Sequence, residues 1–181
     1  MPAADSHPGY PIAAPVWSRR LLGLLLAASL LALAGALALE NQFGVVGCVL
    51  CVYQRVPFAV AAVCAAAGIA LGRSRLVPRV VLTLCGLAFA AGAGLALYQV
   101  GMQQGWWVDP GVCTGSAPAA LSALDLRDAV LREAGRPPCD RVDWSLFGVS
   151  LAALNALVSS GLAVLCAVGL AATADRRSAG I

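Results

Sequence analysis

Four stretches of this chain contain no charged residue, and each approaches the length needed to cross a lipid bilayer as a helix. A helical span needs roughly 20 apolar residues in a row. Because lipid offers the backbone no hydrogen-bond partners, such segments must be helices that satisfy their own amides. The second stretch reaches this length only when the turn from Val49 onward is included. The stretches are 21–39, 56–71, 80–100 and 145–174.

Composition supports a membrane protein. Of the 181 residues, 60% are hydrophobic and 12% are charged, whereas soluble domains carry about 25% charged residues. The first stretch could be a cleaved signal peptide, but it is long for the apolar region of one. We predict an all-α membrane protein, a four-transmembrane-helix bundle with spans at about 21–39, 50–71, 80–100 and 145–172.

Arginine placement predicts the orientation, since the chain has no lysine. The positive-inside rule assigns the arginine-bearing short segments to the cytoplasm. Loops 40–48 and 101–144 then face the periplasm of a bacterium. Residues 1–18 and 178–181 become cytoplasmic tails around a membrane domain at 19–177. The arginines concerned are Arg19, Arg20, Arg73, Arg75, Arg79, Arg176 and Arg177.

The seven cysteines fall into two groups. Three lie in the middle of apolar stretches, where a cysteine usually acts as a small buried hydrophobe. These are Cys64, Cys85 and Cys166. The other four lie on the predicted periplasmic side, which is oxidising, and their even number permits complete pairing. They are Cys48, Cys51, Cys113 and Cys139.

Three interpretations of the outer cysteines are open. A structural zinc site requires four clustered ligands, but Cys113 and Cys139 stand far apart and the one histidine, His7, lies across the membrane; we predict no metal. Structural disulfides are the second interpretation. A C-x-x-C bridge closes too small a loop to stabilise a fold much, so thiol–disulfide exchange is favoured as the third.

The C-x-x-C lies in the string GCVLCVYQR. If the second helix begins near Cys48, its positive end favours thiolates at both sulfurs. Arg55 follows Cys51 by four residues and shares its helical face. Its permanent charge could stabilise a Cys51 thiolate or hold a polar ligand atom. Alternatively, the side chain could extend to the membrane–water interface and have no further role. Pro57 predicts a kink close by.

The long periplasmic loop contains a predicted short amphipathic helix over residues 116–135, bracketed by Cys113 and Cys139. Such a helix can lie on the bilayer surface, and tryptophans at both ends of the loop are typical of the headgroup region. A disulfide between the two loop cysteines would be exposed, and exposed disulfides exchange readily. Open access to the turn DPGVCTG favours attack at Cys113.

These features together resemble the disulfide bond formation protein B family. The resemblance rests on four spans, CVLCVYQR after the first span, two cysteines in the long loop, and PCDRVDWSLFG before the last span. It extends from about residue 19 to 177. The chain departs from the family at the start of the last helix, where many members carry proline and tryptophan and this chain reads SLAALNAL.

The resemblance implies a quinone-dependent protein-disulfide oxidoreductase of the bacterial inner membrane that supports periplasmic oxidative folding. It implies a DsbA-like thioredoxin-fold partner, electron delivery to ubiquinone or menaquinone in the lipid, and no nucleic-acid partner. Cys48 and Cys51 match the quinone-proximal pair, Arg55 matches the arginine beside the quinone, and Cys113 and Cys139 match the pair that meets the partner.

Two alternatives stay open beside the resemblance. One is a quinone reductase similar to the vitamin K epoxide reductase family, although there the membrane-proximal C-x-x-C sits late in the chain. The other is a non-enzymatic membrane scaffold with structural disulfides.

Overall fold

The computed structural model describes residues 16–71, 76–107, 138–142 and 144–178. In these ranges four helical segments are long and apolar enough to cross a membrane, which confirms the all-α four-helix prediction. The second of these segments consists of two helices in succession. In chain order the elements are α1 (Val16–Phe43), α2 (Val49–Tyr53), α3 (Arg55–Leu71), α4 (Leu76–Gln103), β1 (Ser145–Leu146), β2 (Val149–Ser150) and α5 (Leu151–Ser178).

The helices pack in a row rather than a closed ring. Helix α1 packs on α3, α3 packs on α4, and α4 makes the most extensive contact with α5. Helices α1 and α5 barely touch. The bundle is therefore open on the side between its first and last helices.

The core of the bundle is apolar and well filled. Phe58 and Phe89 meet edge to face with ring centroids 5.7 Å apart, an arrangement that aromatic pairs prefer. Leu25 and Leu82 are fully buried around them. A side chain at Gly68 would lie within 2.9 Å of Val81, so this glycine lets α3 approach α4 closely.

The outer surface of the bundle is apolar as well. Leu31 and Val63 are among many large hydrophobic side chains that stay exposed, at 73% and 70% respectively. In water such a surface would drive association, but in a membrane it faces lipid tails. Of the three interior cysteines, Cys85 and Cys166 are fully buried, as predicted, and Cys64 is partly buried.

Two arginine contacts hold one end of the bundle together. Arg19 Nη2 donates to the carbonyl of Ile69 at 3.5 Å, which links α1 to the end of α3. Arg79 donates through Nε to Thr173 Oγ1 at 3.2 Å and through Nη2 to the carbonyl of the same residue. The start of α1, the start of α4 and the end of α5 therefore lie at the same end of the bundle.

The last helix begins later than the sequence predicts. Residues 145–150 form a two-stranded hairpin in which Ser145 pairs with Ser150, and its turn has positive φ at Phe147 and Gly148. The hydroxyl of Ser150 accepts from the Ala153 amide at 3.2 Å, which caps the helix start. This cap fixes the first residue of α5 at Leu151. The predicted loop helix at 116–135 lies outside the described residues.

Candidate functional site

The C-x-x-C lies where α2 begins. Cys48 is the N-cap residue, with extended backbone dihedrals, and its sulfur accepts from the Cys51 amide at 3.3 Å. A side chain in this position satisfies one of the free amides of the first helical turn. Both cysteines are free thiols, and their sulfurs lie 2.8 Å apart. The pair is therefore positioned for exchange between dithiol and disulfide.

The helix carrying the pair is interrupted directly after it. Helix α2 ends at Tyr53, Gln54 adopts a turn conformation, and α3 starts at Arg55. Pro57 supplies the reason, because its ring nitrogen cannot donate to the carbonyl of Tyr53. The predicted kink is thus present, and it separates the short helix of the thiols from the long helix of the span.

The loop cysteine Cys139 lies against the C-x-x-C. It is buried in one apolar cluster with Cys48, Leu50 and Met102, and Cys51 packs on the edge of this cluster. Cys139 is disulfide-bonded. Its predicted partner, Cys113, lies outside the described residues, so the pairing of the two stays a prediction. The structure brings together three of the four outer cysteines.

A glutamine from α4 completes the surroundings of the sulfurs. Gln99 Nε2 donates to Cys48 Sγ at 3.2 Å and to Cys51 Sγ at 3.4 Å. Its side chain is 2% exposed, so water contributes little at this point. An amide donor at a sulfur stabilises the thiolate form.

The neighbouring sulfur and burial both affect the thiol of Cys48. The pKa of this thiol is raised above its ordinary value, first because it shares a hydrogen bond with the sulfur of Cys51 and second because it is buried. A thiol with a raised pKa remains protonated over a wider pH range. Cys48 is therefore the poorer nucleophile of the reduced pair, since the thiolate is the reactive form.

Arg55 is paired with a carboxylate from α1. Its guanidinium donates to both oxygens of Glu40 at 2.7 and 2.9 Å. Gly47 lies between this ion pair and the thiols. A Cβ at Gly47 would be 3.3 Å from Arg55 Nη2, 3.3 Å from Glu40 Oε1 and 3.5 Å from the Cβ of Cys51. Arg55 and the dithiol therefore flank the same backbone position.

A cavity of about 460 Å³ opens beside the thiols on the open side of the bundle. Its walls come chiefly from α1 and α5 and are mostly apolar. The polar groups cluster at the thiol end, where both cysteines of the C-x-x-C line the cavity. The other polar side chains at that end are Glu40, Gln54, Arg55, Gln99, Gln103, Arg141 and Asn155. Such a space fits an apolar ring compound with a few polar atoms.

Three features of this site were not predicted from the sequence. The acidic partner of Arg55 is Glu40, which the sequence analysis did not connect to it. Gln99 and Asn155 were not singled out, although each is an amide in an otherwise apolar membrane span. Polar residues inside a span are expensive and usually functional, so this rule alone would have identified both.

Comparison with known proteins identifies a family and several related sequences. The family model described as "Disulfide bond formation protein DsbB" matches residues 18–169. The "Disulfide bond formation protein B" of Stutzerimonas stutzeri is 30% identical over 150 residues, which is 82% of this chain and 91% of the relative. "Disulfide bond formation protein B 1" and "Disulfide bond formation protein B 2", from two strains of Pseudomonas aeruginosa, are each 30% identical over 142 residues, covering 78% of this chain and 85% of the relative.

No solved structure gives a significant match to the chain. The family model nevertheless covers most of its length, and the matched region contains all four candidate spans, apart from the first residue of the first span and the last residues of the fourth. The chain is therefore a multi-pass membrane protein that belongs to the disulfide bond formation protein B family, with the disulfide-forming chemistry of that family.

Proposed function

We propose that this protein is a membrane thiol oxidase that re-oxidises a periplasmic DsbA-type protein and passes the electrons to a membrane quinone. The observation that carries the proposal is the burial of Cys139 against the Cys48–Cys51 pair, at the mouth of an apolar cavity. A cysteine of the long loop is thereby packed with thiols at the start of a candidate membrane span. Two disulfides in series can then join a water-soluble donor to a lipid-soluble acceptor.

The proposed route begins at the loop. A thiolate of the partner attacks Cys113 of a Cys113–Cys139 disulfide, forming a mixed disulfide and releasing the Cys139 thiolate. The second thiol of the partner then displaces Cys113, which leaves the partner oxidised and the loop pair reduced. Cys139 is buried in the same cluster as Cys48. Its thiolate attacks the Cys48–Cys51 disulfide, and the Cys113 thiolate then attacks Cys139, which re-forms the Cys113–Cys139 disulfide and leaves Cys48 and Cys51 reduced. One partner dithiol thus yields one reduced C-x-x-C.

The residues around the cavity fit a quinone. The walls are apolar, and the guanidinium of Arg55 provides hydrogen-bond donors for a carbonyl oxygen. Gln103 Oε1 is buried at the cavity and has no hydrogen-bond partner among the described residues. An unsatisfied buried acceptor costs free energy, and a quinol hydroxyl is a donor that would satisfy it. Arg55 and Gln103 are therefore the residues we assign to holding the head group.

A bound quinone supplies the two-electron acceptor for the reduced C-x-x-C. Cys51 lines the cavity, and we assign it the contact with the acceptor. The raised pKa of Cys48 favours the protonated form of this thiol. Gln99 donates to both sulfurs and so supports negative charge on them. The chain's own contribution is thus position and electrostatics, and the acceptor is ubiquinone or menaquinone.

The proposed location is the bacterial inner membrane, with both termini in the cytoplasm. The support is the gathering of arginines at one end of the bundle, through the contacts of Arg19 and Arg79. The thiols lie at the other end, which the positive-inside rule assigns to the periplasm. Residues 19–177 then form the oxidase domain between two short cytoplasmic tails.

Quinone content tests the proposal against the alternative of a non-enzymatic scaffold. Protein purified in mild detergent from a quinone-producing membrane should carry about one quinone per chain, as expected for a single built site. A scaffold with structural disulfides would carry none above the lipid background. The matched control is the Arg55→Ala variant, which lacks the proposed contact to the quinone. Equal quinone content in the wild-type and variant proteins would contradict the assigned site.

A further inference from the structure

Four polar side chains form a continuous row of hydrogen bonds from the thiols into α5. Gln99, which donates to the sulfurs, accepts from Gln54 Nε2 at 2.7 Å. Gln54 Oε1 accepts from Asn155 Nδ2 at 2.5 Å, and Asn155 Oδ1 accepts from the Ser159 hydroxyl at 3.2 Å. We name this row of Ser159, Asn155, Gln54 and Gln99 the amide relay.

The amide relay has a direction. In each of its three amides the oxygen accepts from the residue farther from the thiols, and the NH₂ group donates to the next group toward them. Gln99 Oε1 also lies 3.7 Å from Cys51 Sγ and accepts from that thiol when it is protonated. Turning one amide around would place two donors or two acceptors face to face. Neighbours therefore hold each amide in one orientation, and the last donor of the row is aimed at the sulfurs.

Burial restricts these side chains to this one hydrogen-bonding arrangement. Gln99, Gln54 and Ser159 are 2%, 5% and 0% exposed. A buried amide without partners is unfavourable, and at membrane depth there is little water to replace a lost partner. The amides must therefore satisfy one another. A change at Ser159 or Asn155 consequently alters the position of the Gln99 amide beside the sulfurs.

We propose that the amide relay holds Gln99 as a hydrogen-bond donor to the Cys48–Cys51 sulfurs, with Asn155 as the positioning residue. A donor aimed at sulfur favours thiolate over thiol, because the charged form accepts the stronger hydrogen bond. The thiolate is the form that reacts. Asn155 thus sets the reactivity of thiols that it does not touch.

This inference deepens the proposed function and rests on it for its physiological use. Asn155 lies in the second turn of α5, and its amide bonds to Gln54 beside the dithiol. A purely structural role is the competing explanation, because amide contacts also hold membrane helices together.

The test measures thiol reactivity directly. Reduced, full-length protein in detergent is treated with iodoacetamide at one fixed pH, and alkylation of Cys51 is followed by mass spectrometry of its peptide. Asn155→Leu keeps a similar volume and removes the donor to Gln54. We expect alkylation to slow by about three- to tenfold, the effect of one lost hydrogen bond. Asn155→Gln retains a donor amide and should restore the rate to within about twofold.

The end of the relay offers a matched pair of controls. Ser159→Ala removes the anchor of Asn155 and should slow alkylation in the same direction by a smaller factor. Ser160→Ala changes the neighbouring exposed serine, outside the relay, and should leave the rate unchanged. If Asn155→Leu does not give folded protein, the test is the comparison of the alkylation rates of Ser159→Ala and Ser160→Ala.

Two results would overturn the inference. One is an unchanged or faster alkylation rate in folded Asn155→Leu protein, which would reduce the relay to helix packing. The other is equal rates for Ser159→Ala and Ser160→Ala. Because no quinone or partner is added and excess phosphine reductant keeps any co-purified quinone and the thiols reduced, the outcome is independent of the oxidase assay. A wild-type protein that oxidises no partner would contradict the proposed function and leave the relay to be judged by alkylation.

Discussion

Arg55 and Glu40 form a two-point ion pair in which Nη2 lies 2.7 Å from Oε1 and Nη1 lies 2.9 Å from Oε2. The pair links α3 to α1 beside the cavity that opens next to the thiols. A two-point contact of this kind fixes the plane of the guanidinium as well as its position. Glu40 therefore decides which way the remaining donors of Arg55 point.

The first prediction concerns Arg55. Arg55→Ala should raise the KM for a short-chain quinone by about tenfold or more, the usual effect of losing a charged hydrogen-bond donor. Both disulfides should still form, because no cysteine is changed. Arg55→Lys keeps the positive charge but loses the planar pair of guanidinium donors, so it should give an intermediate KM. Steady-state kinetics across quinone concentration measure this, and an unchanged KM in Arg55→Ala would leave Arg55 as an interface anchor.

The second prediction concerns Glu40. Glu40→Gln can keep one hydrogen bond to Arg55 but loses the two-point geometry, so the KM for quinone should rise by about threefold. Stability should change little, because the side chains of Arg55 and Glu40 are 23% and 31% exposed and ion pairs of this kind contribute about 1 kcal/mol or less. Thermal unfolding in detergent provides the control. A large loss of stability with an unchanged KM would show that the pair holds helices rather than the quinone site.

The third prediction tests the cavity. Ala36 lines it from α1, so Ala36→Phe should fill part of the space and raise the KM for quinone by about tenfold, as expected when a bulky side chain overlaps a bound ligand. Ala34→Phe is the matched control, since Ala34 lies on the same helix but is exposed and does not line the cavity. Equal KM values for the two variants would mean that quinone does not enter between α1 and α5.

The fourth prediction concerns the order of attack in the loop. With Cys139→Ser, the free Cys113 thiolate attacks the disulfide of an oxidised partner and releases one partner thiolate; the mixed disulfide should persist, because no loop cysteine is present to displace the partner. With Cys113→Ser, the adduct should be scarce, because Cys139 is buried among Cys48, Leu50 and Met102. Non-reducing gels of mixed proteins measure this. Strong trapping by Cys113→Ser and none by Cys139→Ser would reverse the roles of the two cysteines.

Much of the fold was predictable because lipid permits few structures. Uncharged apolar stretches of span length must be helices, and the break after Tyr53 follows from the missing amide of Pro57. The start of α5 was harder to place. Residues 145–150 are uncharged and look like part of a span, but the turn at Phe147–Gly148 and the cap from Ser150 form a hairpin instead. Local turn chemistry of this kind outweighs hydrophobicity over a few residues.

The site was predictable only in part, and the division has a physical cause. Cys48, Cys51 and Arg55 lie within one helical turn or two of one another, so sequence spacing alone relates them. Glu40, Gln99 and Asn155 reach the same place from three other helices. Which face of a helix meets which neighbour depends on packing across the bundle, and no sequence spacing encodes it. The contact of Cys139 with the C-x-x-C likewise depends on packing that sequence spacing does not encode.

The most direct measurement is quinone-dependent oxidation of a reduced DsbA-type protein by the purified chain under anaerobic conditions. Loss of partner thiols and loss of quinone absorbance are followed together, with ubiquinone and menaquinone analogues in separate assays. We predict that about two thiols disappear for each quinone reduced, as electron balance requires, and that Cys51→Ser abolishes both signals. Thiol oxidation that proceeds without quinone, or with Cys51→Ser at the wild-type rate, would contradict the account.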